Sequence, residues 1–199
     1  MHLSKTQEAI IIGTLLGDGC LERNGRGVRL RLDHGIKQES YLLWKYKELH
    51  TIATPSSPMK VHAYHKIHQR FYDSVRMYTY SSTLLESYWW YFYRDGKKNI
   101  SQNISKLLTQ PISLAVWLMD DGYKRNDCNA FRLNTDSFSK IEQRILIRVL
   151  KTNFDIDSVL HKKGKYWNVY IPQKSSKKFV EIVEPYIIPD LKYKIALAP

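Results

Sequence analysis

The chain has 199 residues, enough for one well-buried core or two small ones, and its 43% hydrophobic content argues against disorder. Against 19 acidic residues stand 31 lysines and arginines, a net charge of +12 that points to a polyanionic partner, nucleic acid before an acidic membrane surface. No apolar run approaches the roughly 18 residues of a membrane span, the opening Met1-His2-Leu3-Ser4-Lys5 lacks a signal-peptide pattern, and Cys20 and Cys128 are too few for a disulfide framework and have no zinc-ligand spacing. An intracellular chain with reduced thiols is expected.

In chain order, Ser4-Lys5-Thr6-Gln7 offers a capping box ahead of Ala9, Ile10, Ile12, Gly13 and Leu16, spaced as on a helix. Gly27 to Asp33 alternates as a half-buried strand does, with Val28, Leu30 and Leu32 on one side and Arg29, Arg31 and Asp33 on the other. A helix is predicted over 38–52, hairpin strands over 60–67 and 70–80, and a closing helix over 82–93. In that last segment Trp89 and Phe92 fall at helical spacing with Leu85 and are expected to fill the core. The order then repeats. Pro111 suits the first turn of a second apolar helix, Phe131 to Thr135 alternates, Ser139-Lys140-Ile141-Glu142 is another capping box, and strands over 158–162 and 166–171 flank Gly164 before a helix over 175–183. Halves of 1–100 and 101–199, joined in the region 95–110, are the simplest account.

The first helix of each half ends unusually. Leu16-Gly17-Asp18-Gly19 and Met119-Asp120-Asp121-Gly122 place an acid where the helix dipole favours a base, and the two aspartates lie 121 − 18 = 103 residues apart. Gly19 and Gly122 are predicted left-handed helix stops. Gly13 and Gly17, at i and i+4, suit a close helix approach, whereas the matching positions of the second helix hold Val116 and Asp120. Phosphodiester hydrolysis needs charge neutralised on the phosphate and a water activated, and divalent cations held by carboxylates do both. Asp18 and Asp121 are the candidate pair, and Lys98 and Lys194, 194 − 98 = 96 residues apart, are candidates to polarise a water or stabilise the transition-state charge.

The strand alternation predicts polar sheet faces. The first half contributes Arg29, Arg31, Lys60, His62, Tyr64, Lys66, Arg70, Tyr72, Ser74, Arg76 and Tyr78, and the second Arg132, Asn134, Lys162, Tyr166, Asn168 and Tyr170, with almost no acid among them. Arginine and asparagine pair bidentately with guanine and adenine edges, lysine and tyrosine suit phosphates, and a two-stranded ribbon fits the major groove. By the same alternation His62 and His68 share a side with His65 opposite, which argues against a zinc site.

The paired segments, together with Glu184-Pro185-Tyr186-Ile187-Ile188-Pro189-Asp190-Leu191-Lys192-Tyr193-Lys194, resemble the motifs of the LAGLIDADG homing endonucleases, and the resemblance spans nearly the whole chain. It implies an α+β, pseudo-twofold αββαββα duplication, with two central motif helices and two saddle-shaped antiparallel sheets lying along the major groove. It further implies a monomeric, Mg²⁺-dependent enzyme that cuts both strands of a long non-palindromic target, leaving 3′ overhangs. Mn²⁺ is expected to substitute and Ca²⁺ to support binding alone. The resemblance selects Asp18 and Asp121 as metal ligands, admits Gly17 and Asp120 through backbone carbonyls, and places Lys98 and Lys194 beside the reacting waters. An intron-encoded origin fits. The alternatives on the same fold are an intron RNA maturase and a non-cleaving DNA-binding regulator.

Overall fold

Ten strands and seven helices in the computed structural model, which describes residues 2–197, fall into an order that repeats. The first half runs α1 (Lys5–Leu16), β1 (Cys20–Asn24), β2 (Gly27–Gly35), α2 (Glu39–Glu48), β3 (Met59–His65), β4 (Arg70–Tyr78) and α3 (Glu86–Phe92). After a small hairpin, β5 (Tyr93–Arg94) with β6 (Lys97–Lys98), and a short α4 (Ile104–Leu107), the second half runs α5 (Pro111–Asp121), β7 (Gly122–Lys124), β8 (Phe131–Leu133), α6 (Lys140–Phe154), β9 (Val159–Lys163), β10 (Tyr166–Ile171) and α7 (Gln173–Val183). Each half is therefore αββαββα, and the antiparallel sheets share one order, β1-β2-β4-β3 and β7-β8-β10-β9. The strands β1 and β7, which the alternation did not show, supply the first β of each repeat. Among the described residues, no helix is long and apolar enough to cross a membrane.

Contacts gather the chain into two units, one formed by residues up to 7 with 18–89, the other by 8–17 with 90 onward. In the first unit, Ser4 and Gln7 close the expected capping box, each side chain accepting the other's backbone N–H at 3.1 Å. Gln7 Nε2 then donates to Glu48 O and Thr51 Oγ1. The sheet buries Val28, Leu30 and Leu32 of β2 with Val75 and Met77 of β4, and α2 adds Tyr41 and Leu42. In the second unit, Ser139 and Glu142 cap α6 reciprocally, and Phe131, Leu133, Val169 and Ile171 form the inner sheet face beneath Leu146, Val149 and Leu150. Phe92 is buried as expected, but Trp89 is only half-buried and lies under the Arg23 guanidinium, while Tyr88 fills the core instead.

The helices α1 and α5 are not amphipathic. Every residue from Ala9 to Gly17 and from Ser113 to Asp120 is buried, the pattern of a helix enclosed on all sides. Their approach depends on glycine. A Cβ on Gly13 would fall 2.7 Å from Val116 Cβ, and one on Gly17 would fall 2.8 Å from Asp120 Oδ2. Gly13 and Val116 are repeat counterparts, as are Gly17 and Asp120, each 103 residues apart. Where a residue meets its own counterpart, both cannot be large at backbone contact distance, and here the first helix carries the glycine.

The predicted left-handed stops are corrected. Gly122 is extended, at φ −101°, and Gly19 is not among the positive-φ glycines, which are Gly25, Gly96 and Gly164 in hairpin turns. Gly122 is required for space, since a Cβ there would lie 2.8 Å from Leu118 Cα. Gly13→Ala is expected to cost about 1–3 kcal/mol by overpacking the helix contact; urea unfolding measures it, and wild-type stability in the variant would show that α1 and α5 can separate without loss.

Candidate active site and nucleic-acid interface

Neither motif helix has a basic residue in its last turn. The missing positive charge comes from far along the chain. Lys98 Nζ donates to Gly17 O at 2.9 Å, and Lys194 Nζ donates to Met119 O at 2.5 Å and Leu118 O at 3.4 Å. The last carbonyls of a helix have no intrahelical partner and carry its negative pole. Each lysine thus satisfies terminal carbonyls and offsets the field that disfavours the adjacent acid. Lys194 sits in the 3₁₀ segment Pro189–Lys194 and is buried, whereas Lys98 on β6 is half-exposed.

Asp18 follows α1 with its side chain 40% exposed, and its Oδ2 lies 3.7 Å from His34 Nδ1. His34 is buried on β2 and touches Lys45, wholly buried on α2. Sequence reasoning missed both; a lysine on the apolar side of a predicted helix was the available signal. Asp121 is half-buried, and its carbonyl accepts the Asn134 N–H at 2.9 Å. Asp120 is 8% exposed and packs against Gly17. The acceptors at the two helix ends are carboxylate and carbonyl oxygens, the donor set that a hard divalent cation takes. Gly17 O already accepts from Lys98, but a carbonyl has two lone pairs, so the bond does not bar it from a metal.

The first sheet's outer face is narrower than the alternation implied. Register sets Arg31 opposite Tyr78 and Asp33 opposite Arg76. It sets Met59, Val61, Ala63 and His65 opposite Arg76, Ser74, Tyr72 and Arg70. Arg29, Arg31, Arg70, Tyr72, Ser74, Arg76 and Tyr78 therefore share a face. Lys60, His62 and Tyr64 are on the reverse side and Lys66 lies in the 66–69 turn, a correction to their expected placement. The polar residues of β3 were read as facing with those of β4, but its apolar residues do so. The face is also not free of acid: Glu22 pairs with Arg29 and Arg31 at 2.8 and 2.7 Å, and Asp33 pairs with Arg76. The bond from Asp33 raises the Arg76 pKa. The Arg29 guanidinium also lies 4.2 Å from the Tyr78 ring centroid.

The histidines are corrected too. His65 and His68 stack at 4.3 Å, because His68 lies in the turn rather than on a strand, and His68 Nδ1 is 2.7 Å from Tyr72 Oη. His62 stands apart, paired with Asp73 at 2.6 Å and stacked on Phe71.

In the second unit, Arg132 is 7% exposed and directs its guanidinium to Tyr123 Oη at 3.1 Å and His161 Nδ1 at 2.8 Å. His161 stacks on Tyr170 at 4.8 Å, and Lys163 lies over the Tyr123 ring. Burial first, and then the Arg132 and Arg125 charges, push the His161 pKa down. Three placements change. Lys162 pairs opposite Trp167 and so faces away from Tyr166 and Tyr170, whose face His161 and Lys163 share instead. Asn134 lies just beyond β8. Asn168 is wholly buried, its Oδ1 accepting the Thr135 N–H, so it does not contribute to the exposed face. A cavity lined by Tyr123, Arg125, Asn126, Asp127 and Arg132 opens beside these residues.

The Arg125 hydrogen bond holds the Asp127 carboxyl down to about 2. A carboxyl lowered in the folded state contributes stability above its unfolded pKa, near 3.8, and loses it as pH falls from there through about 2. An NMR titration should place Asp127 near 2, and Arg125→Ala should return it to the ordinary range; a wild-type midpoint near 3.8 would contradict the pairing.

Comparison with known proteins places the chain in a family. The family model described as the LAGLIDADG DNA endonuclease family matches residues 8–179. The chain is 31% identical to a probable intron-encoded endonuclease 1 of Wickerhamomyces canadensis, covering 97% of this chain and 85% of the relative. It is 28% identical to a cytochrome b mRNA maturase bI2 of Debaryomyces hansenii, over 97% of this chain and 74% of the relative. Among solved structures, the homing endonuclease I-WcaI bound to its DNA recognition sequence superposes with a TM-score of 0.89 at 27% identity, covering 100% of this chain and 89% of that one. The duplicated fold, the acid at the end of each motif helix and the match over most of its length agree: the chain belongs to the LAGLIDADG DNA endonuclease family.

Proposed function

We propose that this protein is a monomeric, site-specific homing endonuclease that hydrolyses both strands of a long, non-palindromic DNA duplex and leaves 3′ overhangs, its halves 1–100 and 101–199 each serving one side of the target. The observation that carries this reading is the pair of motif ends: Asp18 and Asp121 follow helices whose terminal carbonyls are bound by Lys98 and Lys194. The likeness to a DNA-bound homing endonuclease over the full chain supports duplex DNA as the partner.

A Mg²⁺ ion, when bound, supplies charge neutralisation at the phosphate and lowers the pKa of a coordinated water. Asp18 and Asp121 would hold it, with Asp120 and the Gly17 carbonyl as further oxygen donors. Lys98 and Lys194 have two tasks. Their bonds to carbonyls fix each ammonium at its helix end, and the remaining donors of a lysine can orient a water or meet the developing phosphorane charge. The Arg29, Arg31 and Arg76 guanidiniums, held by Glu22 and Asp33, present an ordered surface for base edges and phosphates. The likeness to a messenger-RNA maturase favours a second reading, in which the same chain also binds intron RNA.

The test is cleavage of a randomised duplex library in Mg²⁺ with sequencing of the cut ends. A defined site with 3′ overhangs is expected, and an intact library would sink the nuclease reading. Asp18→Asn or Asp121→Asn should abolish double-strand cleavage while leaving binding in Ca²⁺ measurable; full cleavage by either variant would remove that residue from the metal set. Affinity should fall steeply with salt as phosphate contacts release counterions, and a flat dependence would exclude these faces as the interface.

A further inference from the structure

The buried side of α2 carries a lysine. Lys45 is 0% exposed, its Nζ lies 3.3 Å from His34 Nε2, and it sits 4.4 Å from the centroid of the Tyr41 ring. Taking an ammonium out of water costs several kcal/mol before any partner compensates, and an apolar side chain of similar volume would avoid that cost. The His34 side chain is itself only 1% exposed, and its other ring nitrogen, Nδ1, lies 3.7 Å from Asp18 Oδ2. That separation is too long for a hydrogen bond and short enough for electrostatic attraction. Ammonium, imidazole and carboxylate thus follow one another from the core to the surface. An ammonium donates and never accepts. Nε2, facing it, therefore carries the lone pair, and a neutral ring holds its proton on Nδ1, toward Asp18.

Among the described residues, the second half shows no such lysine–histidine series at the corresponding positions. Leu32 pairs with Met77 and Leu133 with Val169, so Leu32 and Leu133 correspond, and two residues beyond them stand His34 and Thr135. Thr135 is also buried, but its Oγ1 accepts the Val169 N–H and its carbonyl accepts from Gln143 Nε2. The buried side of α6 carries Gln143, Ile145, Leu146, Val149, Leu150 and Phe154, and no lysine.

We infer that Lys45 and His34 are positioning residues for Asp18: the lysine fixes the tautomer and orientation of the imidazole, the imidazole orients the carboxylate, and the first half alone has this support. The inference rests on the reading of Asp18 as a metal-holding carboxylate. Outer groups that orient a metal ligand typically govern about 10–100-fold in affinity or rate. Losing this one should impair the strand served by Asp18 and spare the other.

Lys45→Met keeps the volume and removes the ammonium, and its melting temperature should equal or exceed that of wild type. In metal-free protein, ¹⁵N spectra of the imidazoles should show His34 as the Nδ1–H tautomer in wild type and lose that preference in Lys45→Met. On supercoiled plasmid carrying a site recovered from the library, wild type should linearise the circle, whereas Lys45→Met should accumulate circles nicked always in the same strand, the other strand's rate falling about 10–100-fold. An Nε2–H tautomer in wild type would overturn the proposal, as would a variant with unchanged imidazole signals and both strands slowed equally. Should Lys45→Met melt far below wild type, His34→Leu decides: strand-biased nicking upholds the assignment and even slowing removes it. A wild-type protein that cuts nothing, with the His34 signals responding as expected, would overturn the nuclease reading and leave the positioning of Asp18 by His34 standing.

Discussion

Everything at the centre of this protein depends on two lysines that neutralise two helix ends. A helix that finishes in an acid is electrostatically unfavourable, because its terminal carbonyls already carry about half a negative charge. Here α1 and α5 both finish that way, and neither holds a base in its last turn. Lys98 and Lys194, each supplied from the far end of a repeat, bind those carbonyls directly. The lysines make the acids at these helix ends electrostatically tolerable.

The second constraint is steric. At two positions a motif residue meets its own counterpart, and at backbone contact distance one of the two must lack a side chain. Gly13 facing Val116 and Gly17 facing Asp120 satisfy this with both glycines in the first repeat. Gly13, inside α1, costs helix propensity about 1 kcal/mol relative to alanine, whereas Gly17 lies just past the last helical residue, Leu16. Keeping both in the first repeat leaves α5 a better helix former and places the extra carboxylate of Asp120 on the second repeat only. Inequality between the repeats therefore begins at the motif helices, and it recurs at Lys45 and His34 in one repeat and Thr135 and Gln143 in the other.

Much of this was legible in the sequence. The capping boxes at Ser4 and Ser139, the apolar runs of the motif helices, and the inward residues Val28, Leu30 and Leu32 are local signals, and the structure agrees with each. What failed was non-local. On β3 the alternation was visible but its phase was misread: beyond the edge of the core both sides are exposed, so no burial fixes which side holds the polar residues. Pairing with β4 fixes it, and the choice brought Val61 and Ala63 to the outer face in place of Lys60, His62 and Tyr64. Asn168 failed for a related reason, since a strand position read as exposed is covered and its amide serves the Thr135 backbone. Lys45 was hidden because a single lysine within a helical period reads as surface.

The acids of the outer faces, invisible to a count of bases, change what those faces do. Arg29, Arg31 and Arg76 do not wait in solvent as flexible cations; Glu22 and Asp33 hold them in fixed orientations. Exposed pairs of this kind contribute little to stability, typically under about 1 kcal/mol. Their effect lies in binding. An ordered arginine has already lost the side-chain entropy that contact with DNA would otherwise cost, and a phosphate or guanine edge approaching it must compete with a carboxylate already in place. In the proposed DNA complex, non-specific phosphate contact would thereby be weakened relative to bidentate contact with the right base edge, so the paired acids would trade affinity for discrimination. For a chain with net charge +12, whose electrostatic attraction to a duplex would already be large, that trade would favour finding one site among many.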